Sequence, residues 1–145
     1  MSTPAVVAAP AWELTQHADE VGLARLPATA TMPRWALAED AHGALWTVAR
    51  TADELSIICG YEEIPGSVVS VGPFVPFSVD GPLDHDLVGV LAGLLTPIAA
   101  AGIPVMAEST YDTDWILVPV PHVAEAVAVW TAAGHTIDVE PEEGS

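Results

Sequence analysis

The side chains best suited to chemistry concentrate in two short stretches of this chain. The first is Asp84-His85-Asp86 followed by Leu87-Val88-Gly89, and the second is Ser109-Thr110-Tyr111-Asp112-Thr113-Asp114. Ser109, Thr110 and Thr113 offer hydroxyls, Tyr111 a ring, and Asp112 and Asp114 carboxylates. Such a set can hold a positively charged group on an aspartate while hydroxyls serve the rest of a polar ligand. Paired carboxylates also admit acid–base chemistry, or a hard metal such as Mg2+ or Mn2+, through Asp84, Asp86, Asp112 and Asp114. Short acidic sets are more often helix caps and solvated turns, so catalysis, a metal and other cofactors are not expected. Cys59 lies in an apolar stretch where a buried, inert thiol is expected. His17, His42, His122 and His135 are scattered without metal-ligand spacing.

Charge narrows the ligand class. The formal net charge is −17, with three arginines (Arg25, Arg34, Arg50) and no lysine. Nucleic acids are bound by neutralising phosphates with basic side chains, so that class is excluded. Phosphate-rich cofactors and anionic membrane surfaces are disfavoured on the same ground, whereas a ligand carrying a positive group is favoured. No run approaches the roughly 20 apolar residues of a spanning helix; Leu87–Ala101 is too short and is interrupted by Thr96, Pro97 and two glycines. Hydrophobic residues make up 51% of the chain, which calls for a packed core. A single cysteine forms no internal disulfide, as suits a reducing cytoplasm.

The elements that must position these residues are clearest in the C-terminal half. Phe74–Asp80 reads as a strand ending at Gly81-Pro82. Asp86–Ala101 reads as a helix with Asp84 as N-cap, Pro97 as a kink or break, and Gly102 as its stop. Ile103–Ser109 and Asp114–Val120 are two strands joined by Thr110–Thr113. A second helix, Val123–Ala133, closes at Gly134, and Thr136–Val139 is a last short strand. The order is βαββαβ. Chain direction then puts the helix start, Asp84–Gly89, at the same end as the Ser109–Asp114 turn. Unpaired amides at a helix start suit a carboxylate; with the aspartates of the turn, the pair suits a zwitterion.

The N-terminal half repeats the plan in weaker form. Val21–Leu26 is a strand, Pro33–Glu39 a short helix, and Leu45–Arg50 with Leu55–Gly60 a strand pair. Tyr61–Ile64 is a second short helix, Val68–Val71 a strand, and Trp12–Thr15 an added edge strand. Arg50-Thr51-Ala52-Asp53-Glu54-Leu55-Ser56-Ile57-Ile58 aligns with Ser109-Thr110-Tyr111-Asp112-Thr113-Asp114-Trp115-Ile116-Leu117, with Thr, Asp and Ile in register. The expected class is α+β, with two tandem ferredoxin-like βαββαβ units. Residues 1–10 form a disordered leader, 11–72 a degenerate first unit, 73–139 the second unit, and 140–145 an acidic tail. Trp115–Val118 is apolar on both faces, so the N-terminal half or a second chain must cover the face away from the helices. A homodimer is expected on that basis.

The segments Gly81-Pro82-Leu83-Asp84, Leu87-Val88-Gly89-Val90-Leu91, Ala101-Gly102-Ile103 and, most specifically, Ser109–Val118 (STYDTDWILV) resemble the ACT-domain proteins of the CASTOR type. That resemblance implies tandem ACT folds without enzymatic activity and an amino acid bound at an interface between ACT units. By position it points to Thr110, Tyr111, Asp112, Thr113 and Asp114, with Leu87, Val88 and Gly89 opposite; Ser109 joins them as part of the same turn. The chain departs from the arginine-sensing members in carrying two ACT units in place of four.

Overall fold

The computed structural model describes residues 10–37 and 43–141. Residues 1–9 of the expected leader, the end of the Pro33–Glu39 helix and most of the acidic tail lie outside the described residues. The strands are β1 (Glu13–Gln16), β2 (Val21–Leu26), β3 (Thr47–Arg50), β4 (Leu55–Gly60), β5 (Val69–Val79), β6 (Met106–Ser109), β7 (Asp114–Pro119) and β8 (Thr136–Val139). Two helices, α1 (Val90–Ala100) and α2 (Val123–Ala132), belong to the C-terminal half. All eight strands join one sheet.

Both halves follow the βαββαβ order and share β5, as the last strand of the first and the first strand of the second. In the first half β3, β4, β2 and β5 lie side by side, all antiparallel. Short 3-10 turns at Arg34–Ala36 and Tyr61–Glu63 stand where helices would be. The second half places β6, β7 and β5 in the equivalent order. The repeated segment folds alike in both: Thr51 N–H donates to Glu54 O at 2.9 Å, and Thr110 N–H donates to Thr113 O at 2.9 Å. The flanking pairs Arg50/Leu55 and Ser109/Asp114 are register partners.

Three expectations need correction. Strands expected at Val68–Val71 and Phe74–Asp80 are one continuous strand, because β5 has partners along its whole length: β2 pairs Val69–Phe74 and β1 pairs Phe77–Val79 on one edge. Second, β1 is not an edge strand. It sits between β5, to which it is antiparallel, and β8, to which it is parallel. His135 Nδ1 reinforces that pairing by accepting the Trp12 N–H at 3.0 Å. Third, the first long helix starts at Val90 and not at Asp86, and Asp84 does not cap it. Gly89 occupies the N-cap with φ 85°. The preceding segment is tied sideways instead: Leu83 N–H donates to Asp112 O at 2.8 Å, and His85 Nε2 meets Tyr111 O at 2.7 Å. Pro97 does not break α1. The carbonyl deprived of its donor belongs to Gly93, on the exposed face where water can reach it.

The helices form because their apolar residues recur at helical spacing. Val90, Leu94 and Ile98 of α1 and Ala126 and Trp130 of α2 are buried on one face of the sheet, against Leu14, Phe77, Ile116 and Val118. Trp130 stands edge-on to Phe77 and donates its indole N–H to Leu94 O at 2.9 Å. Both helices end alike. Ile103 N–H reaches Ile98 O and His135 N–H reaches Trp130 O, around Gly102 and Gly134 with φ 73° and 98°. Glycine suits that left-handed C-terminal position because it has no Cβ to clash.

The opposite face of β7 is covered from within the chain. Leu117, fully enclosed, packs with Val21, Leu45, Ile58 and Phe74. Around Leu117 the face that called for the N-terminal half or a second chain is therefore covered by the N-terminal half. A separate cluster of Leu55, Ile57, Cys59 and Ala36 lies beneath the irregular segment that carries Ala30, Met32 and Trp35.

Candidate functional site

Two segments positioned by the second half meet at one end of the sheet. The loop Leu83–Gly89 leads into α1, and the turn Thr110–Thr113 joins β6 to β7. Between them lies an open cavity of about 410 Å³. Its walls are the start of α1 (Gly89, Val90, Leu91, Ala92), the loop residues Leu83, Asp84, His85 and Leu87, and the turn from Thr110 to Asp114. No side chain caps α1, so the amides of its first turn have no partner within the helix.

Seven of the nine candidate residues line this cavity: Leu87, Gly89, Thr110, Tyr111, Asp112, Thr113 and Asp114. Val88 lies beside it and is 93% exposed. Ser109 serves the turn from within, its hydroxyl donating to Asp114 Oδ1 at 2.7 Å. Asp114 is half-buried and receives its donor locally. Thr110 donates its hydroxyl to Thr113 O at 3.1 Å, and Thr113 donates to Val79 O at 2.5 Å, which fixes the turn to the end of β5. Tyr111 projects outward, 82% exposed, with the His85 ring edge-on to it at 4.6 Å.

Leu83, His85, Val90, Leu91 and Ala92 are wall residues that the candidate set omits. His85 was visible between two aspartates, but only its contacts with Tyr111 make it a wall residue. The helix residues were hidden by the misplaced helix start. Of the four carboxylates that could serve an enzyme, Asp84, Asp112 and Asp114 reach the cavity and Asp86 does not. No group of three or more His, Cys, Asp or Glu side chains is arranged to hold a metal among the described residues. No arginine lines the cavity; Arg25 pairs with Glu54, and Arg50 donates to Ala28 O and Ala30 O in the other half. The cavity thus combines helix-start amides and hydroxyls with carboxylates that no arginine pairs. Among the described residues no helix is long and apolar enough to cross a membrane.

Comparison with known proteins agrees with this architecture. The sequence profile of the ACT domain matches residues 69–129, and a profile for an N-terminal domain matches residues 19–67. The chain is similar to the crystal structure of protein Atu0741 from Agrobacterium tumefaciens, with 30% identity and a TM-score of 0.84 over 94% of this chain and 99% of that one. It shares its fold with protein VC0802 from Vibrio cholerae, described as of unknown function and a possible transport protein (15% identity, TM-score 0.68, 85% and 90% covered). It also shares it with the regulatory subunit of aspartate kinase from Thermus flavus (15% identity, TM-score 0.55, 83% and 96% covered). No curated protein matches the chain.

Proposed function

Since the chain is an ACT-domain protein and belongs to the same family as Atu0741, we propose that it is a regulatory protein that binds an amino acid, without transforming it, in the cavity between the start of α1 and the Ser109–Asp114 turn. The observation that carries this reading is the convergence of an uncapped helix start and an acidic, hydroxyl-rich turn on one cavity of about 410 Å³. Pockets for small ligands run from about 300 to 1,000 Å³, so a single amino acid fits the size. Its carboxylate would sit at the amides of Val90, Leu91 and Ala92, where the helix dipole is positive. Its ammonium, or a cationic side chain, would face Asp112 and Asp114. The regulatory role follows from the ACT domain and the likeness to the aspartate kinase subunit, and amino-acid sensing in the CASTOR manner is its specific form.

A second copy would complete the site. Leu87, Val88 and Tyr111 form an exposed apolar rim beside the cavity, and a homodimer built on that rim would close it. The test is a thermal-shift screen against the proteinogenic amino acids, followed by calorimetry on the hit. A ligand at 100 times its Kd adds roughly 2.7 kcal/mol, a rise of about 5–10 °C for a chain of this size. Asp114→Asn should weaken binding by about 2 kcal/mol or more with the fold intact. Asp112→Asn serves as the second variant, because Asp114 also holds Ser109. Unchanged affinity in both variants, or no shift with any amino acid at millimolar concentration, would refute the assignment.

A further inference from the structure

On the face of the second half's sheet away from the helices, three residues distant in sequence form a continuous hydrogen-bonded chain. His17 Nδ1 lies 2.8 Å from Glu140 Oε2, and His17 Nε2 lies 2.7 Å from Ser78 Oγ. Alternation along β5 puts Phe77 and Val79 in the core under the helices, so Ser78 points the other way. His17 follows β1 and is held by its own N–H donating to Pro76 O at 3.0 Å. Glu140 follows β8, its N–H donating to Gln16 O at 2.8 Å. The imidazole stacks on Trp115, ring centroids 4.8 Å apart, and its side chain is only 15% exposed.

The direction of these bonds follows from the donor inventory. A carboxylate only accepts, so Nδ1 of the neutral imidazole carries the hydrogen and Nε2 has a lone pair free. Ser78 O–H therefore donates to Nε2. This is the arrangement of a serine nucleophile, a general base and an orienting carboxylate, and it is recognised by geometry and not by sequence order. Ser78 also lines a shallow hollow of about 500 Å³, with Asp80, Gly81, Pro82 and Trp115 among its walls.

We propose that Ser78, His17 and Glu140 form a nucleophilic relay that takes an acyl group from an activated ester and passes it to water. Ser78 Oγ attacks the carbonyl carbon while its proton moves to His17 Nε2. The leaving alcohol departs with that proton, and an ester on Ser78 remains. Water attacks this ester, gives a proton to Nε2, and the acid leaves as the proton returns to Ser78 Oγ. The strand position limits the substrate class. Ser78 is paired with Thr15 on one side and Trp115 on the other, so ladder bonding engages the local backbone and no array of free amides surrounds the nucleophile. Without such donors a poor leaving group is out of reach, which restricts the donor to activated esters. Asp80 and Asp112 beside the hollow repel anionic donors and favour neutral or cationic ones.

The experiment treats the full chain with an alkyl fluorophosphonate and maps the adduct by mass spectrometry. Ser78 Oγ displaces fluoride at phosphorus, and the proton taken by Nε2 leaves with the fluoride. The expected result is one adduct, on Ser78, absent from Ser78→Ala and lost when the parent is unfolded in urea. Labelling should slow at least ~100-fold in His17→Gln, the scale of general-base catalysis, and hydrolysis of 4-nitrophenyl acetate should fall with it. Glu140→Gln, altered at the more exposed end of the relay, should slow labelling ~10-fold or more if His17→Gln fails to fold. An unlabelled Ser78 in the folded parent, an adduct elsewhere, or equal labelling in folded and unfolded protein would overturn the proposal. So would an unchanged rate in either relay variant. None of these outcomes bears on amino-acid binding.

Discussion

Leu117→Ala tests whether the two halves are one folded body. Leu117 is fully enclosed, and its neighbours Val21, Ile58 and Phe74 come from β2, β4 and β5. Removing three carbons costs about 2.4 kcal/mol in transfer free energy at about 0.8 kcal/mol each. The cavity adds to this, because residues fixed on paired strands cannot move in to fill it. Leu→Ala changes in cores span about 2–5 kcal/mol, and a rigid site belongs in the upper half, at about 3–4 kcal/mol. Urea unfolding followed by tryptophan fluorescence measures it, since Trp46 reports on the first half and Trp130 on the second. One transition should move to lower urea with its slope unchanged. Val71→Ala on the exposed part of β5 should stay within about 0.5 kcal/mol. A loss below 1 kcal/mol for Leu117→Ala, or a split into two transitions of which one stays put, would refute the shared core.

Trp130→Phe removes the indole bond to Leu94 O and part of the contact with Phe77; the expected cost is about 2 kcal/mol, read by calorimetry as a fall of roughly 4–8 °C. Burial, aided by Glu63, pushes the Cys59 thiol from its ordinary 9.0 up to about 11. Between those values the unfolded thiol loses its proton and the folded one keeps it, so stability falls as pH rises. From pH 9 to 11 the parent should lose about 2 kcal/mol more than Cys59→Ala in parallel urea titrations, and equal losses would show that the thiol is not held protonated.

Much of the second half was legible because its signals are local. Glycine after each helix, apolar residues four apart in α1 and α2, and the Thr110–Thr113 turn all act within a few residues of themselves. The repeat around Thr51 and Thr110 was legible for the same reason, since a turn bond between residues three apart needs no distant partner. The start of α1 was misread because Asp84 looks like a cap. Whether it caps depends on Gly89 adopting a left-handed conformation and on Leu83 and His85 bonding to Asp112 and Tyr111, more than 25 residues away.

Sequence alone determined the periodicity of the elements, their order, and a charge of −17 that disfavours phosphate-rich partners. It also brought the loop after residue 83 and the turn after residue 109 to one end of the sheet, because chain direction follows from element order. Tertiary structure decided what pairing partners decide. It made β5 one strand shared by two units, placed β1 between β5 and β8, and closed the second face of β7 with Leu45 and Ile58. It alone assembled Ser78, His17 and Glu140, since strand register sets which residues meet across a sheet, and register is a property of pairs of segments that no single segment carries.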